Sequence, residues 1–197
     1  MRIGVLCLQG DFREHVSMLR RLGVEAIDVR LPSDLEHTRG LILPGGESTA
    51  LRRLLSFSGL DHAIAQHAAR AEYGLYGTCA GMILMAKSLR QGQGVEPLGL
   101  MDITVARNAY GRQLDSFEAD VAITEVGTFH AVFIRAPQLI ACEVGVEVLG
   151  RHEGVPVIAR QGNLLVSSFH PELSNDARIH EYFVSEVCAP QRTRSRA

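Results

Sequence analysis

Cysteine pairs at disulfide or metal spacing are missing from this sequence. Its four cysteines, Cys7, Cys79, Cys142 and Cys188, lie far apart, with no C-x-x-C and no Cys/His spacing suited to zinc. A domain of 197 residues buries roughly 70% of its unfolded surface and needs no covalent staples, so a reducing compartment is the simpler assumption. Lysine is nearly absent as well, with Lys87 the single one among 20 basic side chains. The basic residues are dispersed and are offset by 22 acidic ones, for a net charge of −2. No broad positive field exists to draw in nucleic acid or anionic lipid. The one local cluster, Arg192, Arg194 and Arg196, reads as a disordered tail over 189–197. Long apolar runs are missing too. Ile3–Leu8 is too short for a signal-peptide core or a membrane span, and Asp11, Arg13 and Glu14 follow it at once. With 46% hydrophobic and 21% charged residues, disorder, collagen and coiled coil are excluded. These features lead us to expect a soluble cytoplasmic protein with one domain over residues 1–188.

The first half of the chain alternates strand and helix patterns. Ile3–Leu8 is a continuous apolar run, as in a strand buried on both faces. Phe12, Val16, Leu19 and Leu22 then recur at helical spacing and Gly23 stops them. Strands are predicted at Val24–Val29, Gly40–Leu43 and Gly74–Gly77, and helices around Leu51–Leu55, Leu60–Ala71 and Met82–Leu89. This order specifies an α/β fold whose mostly parallel sheet has helices on both faces. From Leu98 onward strand-like segments follow one another without helices: Ile103–Ala106, Phe117–Ile123, Ala131–Ile134, Val146–Leu149, Val155–Arg160 and Leu164–Ser168. They predict an antiparallel extension and a return to the main sheet. A last helix is predicted from Asp176 to Val187.

Four segments carry the chemistry. Gly77-Thr78-Cys79-Ala80-Gly81, between a strand and a helix, is a nucleophile-elbow pattern with cysteine in the serine position. Its glycines permit a tight turn, and the following helix N-terminus favours a thiolate. Phe169-His170-Pro171-Glu172 follows an apolar strand. An extended pre-proline geometry would put His170 and Glu172 on one side, where the carboxylate can orient the imidazole. Leu43-Pro44-Gly45-Gly46-Glu47-Ser48-Thr49 also joins a strand to a helix, so it shares the elbow's sheet edge and offers backbone N–H groups to an oxyanion. It has no G-x-x-x-x-G-K, which rules out Walker phosphate chemistry, and Ser48 or Thr49 would cap the helix. Finally, the polar segment from Arg107 to Glu118, and Arg135 in Phe133-Ile134-Arg135-Ala136-Pro137, offer arginines that could grip a carboxylate. Cys7 and Cys142 sit in apolar runs and read as core, while Cys188 has no evident partner. The histidines other than His170 show no ligand spacing and read as exposed or capping, so no metal is expected.

Taken together, the G-x-C-x-G elbow, the downstream H-P-E and the P-G-G loop resemble the class I (triad) glutamine amidotransferases. With Val5-Leu6-Cys7-Leu8-Gln9-Gly10, Arg107-Asn108, Asp115-Ser116-Phe117-Glu118 and Phe133–Pro137, the chain is similar to the glutaminase subunits of pyridoxal-phosphate synthase. The likeness runs from residue 2 to about 187. Cys7 and Tyr110 depart from the family's usual residues without touching the triad.

That resemblance implies a flavodoxin-like three-layer fold and a Cys79–His170–Glu172 triad that hydrolyses L-glutamine. It implies an oxyanion hole from the N–H groups of Gly46 and Ala80, and glutamine contacts from Gly46, Glu47, Ser48, Arg107, Ile134 and Arg135. It further implies no cofactor, no nucleic-acid or membrane partner, and ammonia transfer to a TIM-barrel synthase subunit in an assembly of twelve copies of each. Gln9 and Gly10 would belong to the docking surface. Rival readings are a glutaminase for another synthase, such as imidazole glycerol phosphate synthase, a cysteine α/β-hydrolase, or a thiol sensor on the same sheet. An α/β-hydrolase places its acid before its histidine, which is the reverse of the order here.

Overall fold

The computed structural model describes residues 1–90, 94–107 and 116–189. Residues 108–115 of the polar segment and the tail at 190–197 lie outside the described residues, and so do the expectations placed on Asn108, Tyr110, Asp115 and the tail arginines.

Short, largely apolar runs build the first strands, β1 (Arg2–Leu6), β2 (Glu25–Val29), β3 (Gly40–Leu43) and β4 (Gly74–Thr78), and β1, β3 and β4 are buried on both faces. They pair in parallel in the order β2-β1-β3-β4. The next position is taken by β12 (Leu164–Ser167), which lies parallel to β4. These five strands have the flavodoxin-like order. Beyond β12 the sheet continues antiparallel through β11 (Val155–Gln161), β10 (Glu147–His152), β7 (Ser116–Ile123) and β8 (Gly127–Ile134). The return of the chain to its main sheet after an antiparallel excursion matches the pattern of its apolar segments.

Strand periodicity divides the core between the two faces. Leu41, Leu43, Leu75, Leu164 and Val166 face α2 (Ser48–Ser58), α3 (Leu60–Ala68) and α4 (Ala80–Met85). Ile3, Val5, Ile42, Tyr76 and Leu165 face α1 (Phe12–Arg21) and α5 (Arg178–Tyr182). This gives three layers. None of the described helices is long and apolar enough to cross a membrane.

Three elements depart from their predicted form. The helix predicted over Met82–Leu89 ends at Met85, and Ala86–Arg90 is a strand, β5, paired with β6 (Met101–Ala106). Met82, Met85 and Leu89 fit a helical period, but tertiary pairing with β6 decides the backbone after Met85. β9 (Gln138–Cys142), unanticipated because it follows Pro137 directly, completes this small second sheet. After α5 the last turns widen to π geometry over Phe183–Val187.

Candidate active site

β4 ends at Thr78 and α4 starts at Ala80, which leaves Cys79 alone in the turn. Its φ of 47° and ψ of −100° are strained for an L residue. The surrounding structure enforces this geometry. The Cys79 N–H donates to the Ser167 carbonyl of β12 at 2.9 Å, and Gly77 packs so closely on Gly81 that a Cβ would meet its carbonyl carbon at 2.6 Å. The sulfur consequently lies at the carboxyl edge of the sheet, 4.0 Å from the Ile134 carbonyl at the end of β8.

Because β12 runs parallel to β4, the chain leaving β12 emerges at that same edge. The following proline keeps His170 out of the helical region (φ −103°, ψ 89°), and its N–H donates to the Val132 carbonyl at 2.8 Å. Glu172 is not extended, contrary to expectation, because Pro171–Leu173 forms a 3₁₀ turn. Proline at the first position favours the turn, which folds the carboxylate back so that Oε1 lies 2.8 Å from His170 Nδ1. Both side chains are almost wholly buried. Burial opposes a charged His170, but hydrogen bonds and charge from Cys79 and Glu172 outweigh it and push the imidazole up to about 10. Burial pushes the Glu172 carboxyl up, and His170 pulls it partly back. An imidazolium held between the sulfur and the carboxylate suits proton delivery to a leaving group on Cys79.

The P-G-G loop closes one side of the site. Gly45 lies against the His170 ring, where a Cβ would be 2.9 Å from Nδ1. Gly46 has φ +148°, a conformation reserved for glycine. The helix cap is Glu47, not Ser48 or Thr49 as anticipated. Glu47 holds the extended N-cap position, and its carboxylate accepts from the N–H groups of Thr49 (2.9 Å) and Ala50 (2.7 Å). Those bonds, led by Thr49, hold its carboxyl below the usual range. The Glu47 N–H donates to Gln9 Oε1 at 3.0 Å, and Asp11 N–H donates to the Gly45 carbonyl at 3.3 Å. Gln9 and Asp11 therefore buttress this loop directly, and Gly10 between them packs against the Gly45 carbonyl. Arg107 reaches the same place, with its guanidinium 3.5 Å from Thr49 Oγ1 and 3.7 Å from Glu47 Oε1. Ser48 is buried in the first turn of α2, and Arg135 is exposed with a strained φ of 43°.

Several residues at the site were missed in the sequence. Asp11 Oδ2 lies 3.5 Å from His170 Nδ1. Asp11, His170 and Glu172 offer donor atoms within 4.8 Å of one another, but His170 Nδ1 lies at hydrogen-bond distance from Glu172 Oε1, so a cation here would have to break that bond. His15 and His180, expected to be exposed or capping, are fully buried behind Glu172. Their spacing carried a signal: His15 lies four before Leu19 on the apolar face of α1, and His180 three before Phe183. His67 is also buried, beside Tyr73, with Nδ1 2.9 Å from the Ala63 carbonyl. Cys7 is core as expected, but Cys142 is half-buried at the end of β9. Cys188, which looked partnerless, is sealed against Gly40 and Gly74.

The chain that folds into this geometry is similar to known proteins. It is 51% identical over 185 residues, 93% of this chain and 94% of the relative, to the pyridoxal 5'-phosphate synthase subunit PdxT of Pseudothermotoga lettingae. It is 49% identical to the subunit of that name from Thermus thermophilus, over 92% of this chain and 95% of the relative. A crystal structure described as a glutamine amidotransferase superposes with a TM-score of 0.89 at 48% identity, covering 92% of this chain and 96% of the other. The structure of PurLQS from Thermotoga maritima, at 16% identity and a TM-score of 0.68 over 93% of this chain and 97% of that chain, shares the fold alone. A model of the SNO glutamine amidotransferase family matches residues 5–189, a span that takes in the elbow, the P-G-G loop and the H-P-E turn, and the chain belongs to that family.

Proposed function

We propose that this chain hydrolyses L-glutamine in the cytoplasm and delivers the ammonia to a synthase subunit that builds pyridoxal 5'-phosphate. One observation carries the reading: His170 is held by Glu172 at 2.8 Å and interacts with the strained Cys79. In this reading Cys79 sulfur attacks the γ-carboxamide carbon, and the N–H groups of Gly46 and Ala80 receive the oxyanion. The charged His170 protonates the amide nitrogen as its bond to carbon breaks, and neutral ammonia leaves. A water then adds to the γ-glutamyl thioester and gives its proton to His170. Glutamate departs, and the sulfur is regenerated. In this reading Arg107, Arg135, Glu47, Ser48 and Ile134 would contact the glutamine, and the Ile134 carbonyl already lies 4.0 Å from the Cys79 sulfur.

The likeness to PdxT subunits supports a synthase partner for this chain, and we extend it to a TIM-barrel partner with twelve copies of each chain. Docking at Gln9 and Gly10 would act on the oxyanion loop, since Gln9 Oε1 already holds the Glu47 N–H. One misplaced oxyanion donor costs about 2.7–4 kcal/mol of barrier, so the lone chain should be nearly silent.

The test is glutamate release by the purified chain, with and without its synthase subunit, with Cys79→Ala as control. Activity that requires the partner and disappears in the variant is the expected result. A variant that stays active would remove the triad assignment, and a wild type silent even with the synthase would send the search to another acceptor enzyme.

A further inference from the structure

A buried polar column continues past the triad into the protein. Glu172 Oε1 accepts from His170, but Oε2 is buried without an aligned hydrogen bond among the described residues. His15 Nε2 lies 3.3 Å from that oxygen and 3.3 Å from Thr78 Oγ1, the residue preceding Cys79. On its other side His15 Nδ1 lies 2.9 Å from His180 Nε2. Among the described residues His180 Nδ1 is buried with no hydrogen-bond partner, and the Tyr76 ring stands edge-on to the His180 ring. Both histidines have no solvent exposure.

These contacts choose between two proton arrangements. If His15 carried its proton on Nδ1, it would donate to His180, whose own proton would then sit on the partnerless Nδ1. The bare His15 Nε2 would meanwhile face the Glu172 carboxylate, lone pair against lone pair. In the reverse arrangement His180 Nε2–H donates to His15 Nδ1, and His15 Nε2–H points between Thr78 Oγ1 and Glu172 Oε2. The only orphan is then a lone pair on His180, which is a lesser loss than a buried N–H or a repulsive contact.

Building on the glutaminase reading above, we infer that His15, fixed in its Nε2–H tautomer by His180, is a positioning residue. It ties the acid of the triad to the elbow that carries the nucleophile. Neutrality at pH 7 follows from the surroundings. Burial, and then the nearby His180 and His170, lower His15 well below its ordinary value, and burial lowers His180 to about 3. The other ionisable groups facing the column are Asp11, next to His170, and Tyr76. His15 touches no substrate atom in this reading. It acts by keeping Glu172 charged and aligned under His170.

The first test needs no variant. ¹⁵N NMR of the histidine rings in the whole chain should show Nε2–H on both His15 and His180, and an Nδ1–H signal from His15 would overturn the proposal. With the synthase subunit present, His15→Leu should lower kcat about 10- to 100-fold, the range for residues that orient catalytic ligands, with KM changed less than about twofold. The ¹⁵N titration midpoint of His170 should fall with it, and His15→Gln, which restores an N–H near the Nε2 position, should recover most of both. A folded His15→Leu with wild-type kcat and an unmoved His170 titration would sink the idea. So would a kcat loss with His170 unmoved that Gln fails to rescue, which would mark a packing role. Should His15→Leu not fold, the tautomer measurement still decides. Neither NMR readout depends on glutamine turnover, so failure of the glutaminase reading shows separately, in the Cys79→Ala control.

Discussion

The two ends of strand β4 each meet a cysteine, and their surroundings are opposite. At the carboxyl end, Cys79 is forced into a strained turn beside an imidazole that burial alone would neutralise but that stays charged. At the amino end, the Cys188 sulfur fills the space left by Gly40 and Gly74, and burial pushes its thiol up to about 12. Both thiols are hidden from bulk solvent, so burial does not distinguish a nucleophile from a packing group. What differs is the partner: a hydrogen-bonded histidine at one end and glycine backbone at the other.

The sharpest way to break this contrast is to remove each sulfur in turn. Cys79→Ala should abolish glutamate release, a loss of about 10⁶-fold in kcat as for other nucleophile deletions. Cys188→Ala should keep kcat within about twofold, as measured with the synthase subunit present. A comparable loss from both would mean that the sealed thiol also takes part. Next in size is the charge that sustains the reactive end. Glu172→Gln keeps the shape but removes the anion under His170, and it should lower kcat by about 10²–10⁴-fold. Steady-state kinetics across pH would check this.

The sealed end should respond in stability instead. Gly74→Ala places a methyl group against Cys188 and its backbone, and overpacking of this kind costs about 1–3 kcal/mol. Calorimetry should find Tm lowered by roughly 2–12 °C, with kcat per folded molecule unchanged.

The smallest effect concerns the middle of the strand, where Tyr76 meets His180. His180 is held near 3 in the folded chain against 6.5 when unfolded. A depressed base adds stability above its unfolded value and loses it as pH falls, here from 6.5 toward 3. Lowering the pH to 5.5 should therefore cost about 1.4 kcal/mol through this group, and urea unfolding of His180→Leu should lack that component. His170 runs the other way. Its raised value adds stability below 6.5 that is lost as pH rises toward about 10, so it leaves the acid limb untouched.

Much of this was readable in the sequence because the relevant signals are local. G-x-C-x-G and H-P-E each state a turn and a side chain, and the parallel strands are continuous apolar runs. Cys79, His170 and Glu172 could be singled out together for that reason. What was not readable depends on contacts between distant segments. His15 and His180 are separated by most of the chain, and each looks like a single polar residue in an otherwise apolar stripe. Their pairing appears only when α1 and α5 pack on one face of the sheet. The strand at Ala86–Arg90 was hidden because its residues satisfy two periods at once, and only β6 chooses between them. Glu47 displaced Ser48 and Thr49 as the cap because the chain enters the helix one residue earlier than hydroxyl preference suggests.

The late insertion of β12 beside β4 has a consequence during synthesis. About ninety residues separate Cys79 from His170, so on a ribosome adding roughly 5–20 residues per second Cys79 emerges many seconds before the histidine proposed as its base. Until β12 arrives, the Cys79 N–H has no Ser167 carbonyl to hold it in its strained turn, and the nascent chain lacks the histidine that sits beside the sulfur. Because the contacts that complete the site span such long sequence separations, its assembly should be among the slow steps of folding. A truncated or stalled product ending before β12 would be harmless to the cell's glutamine.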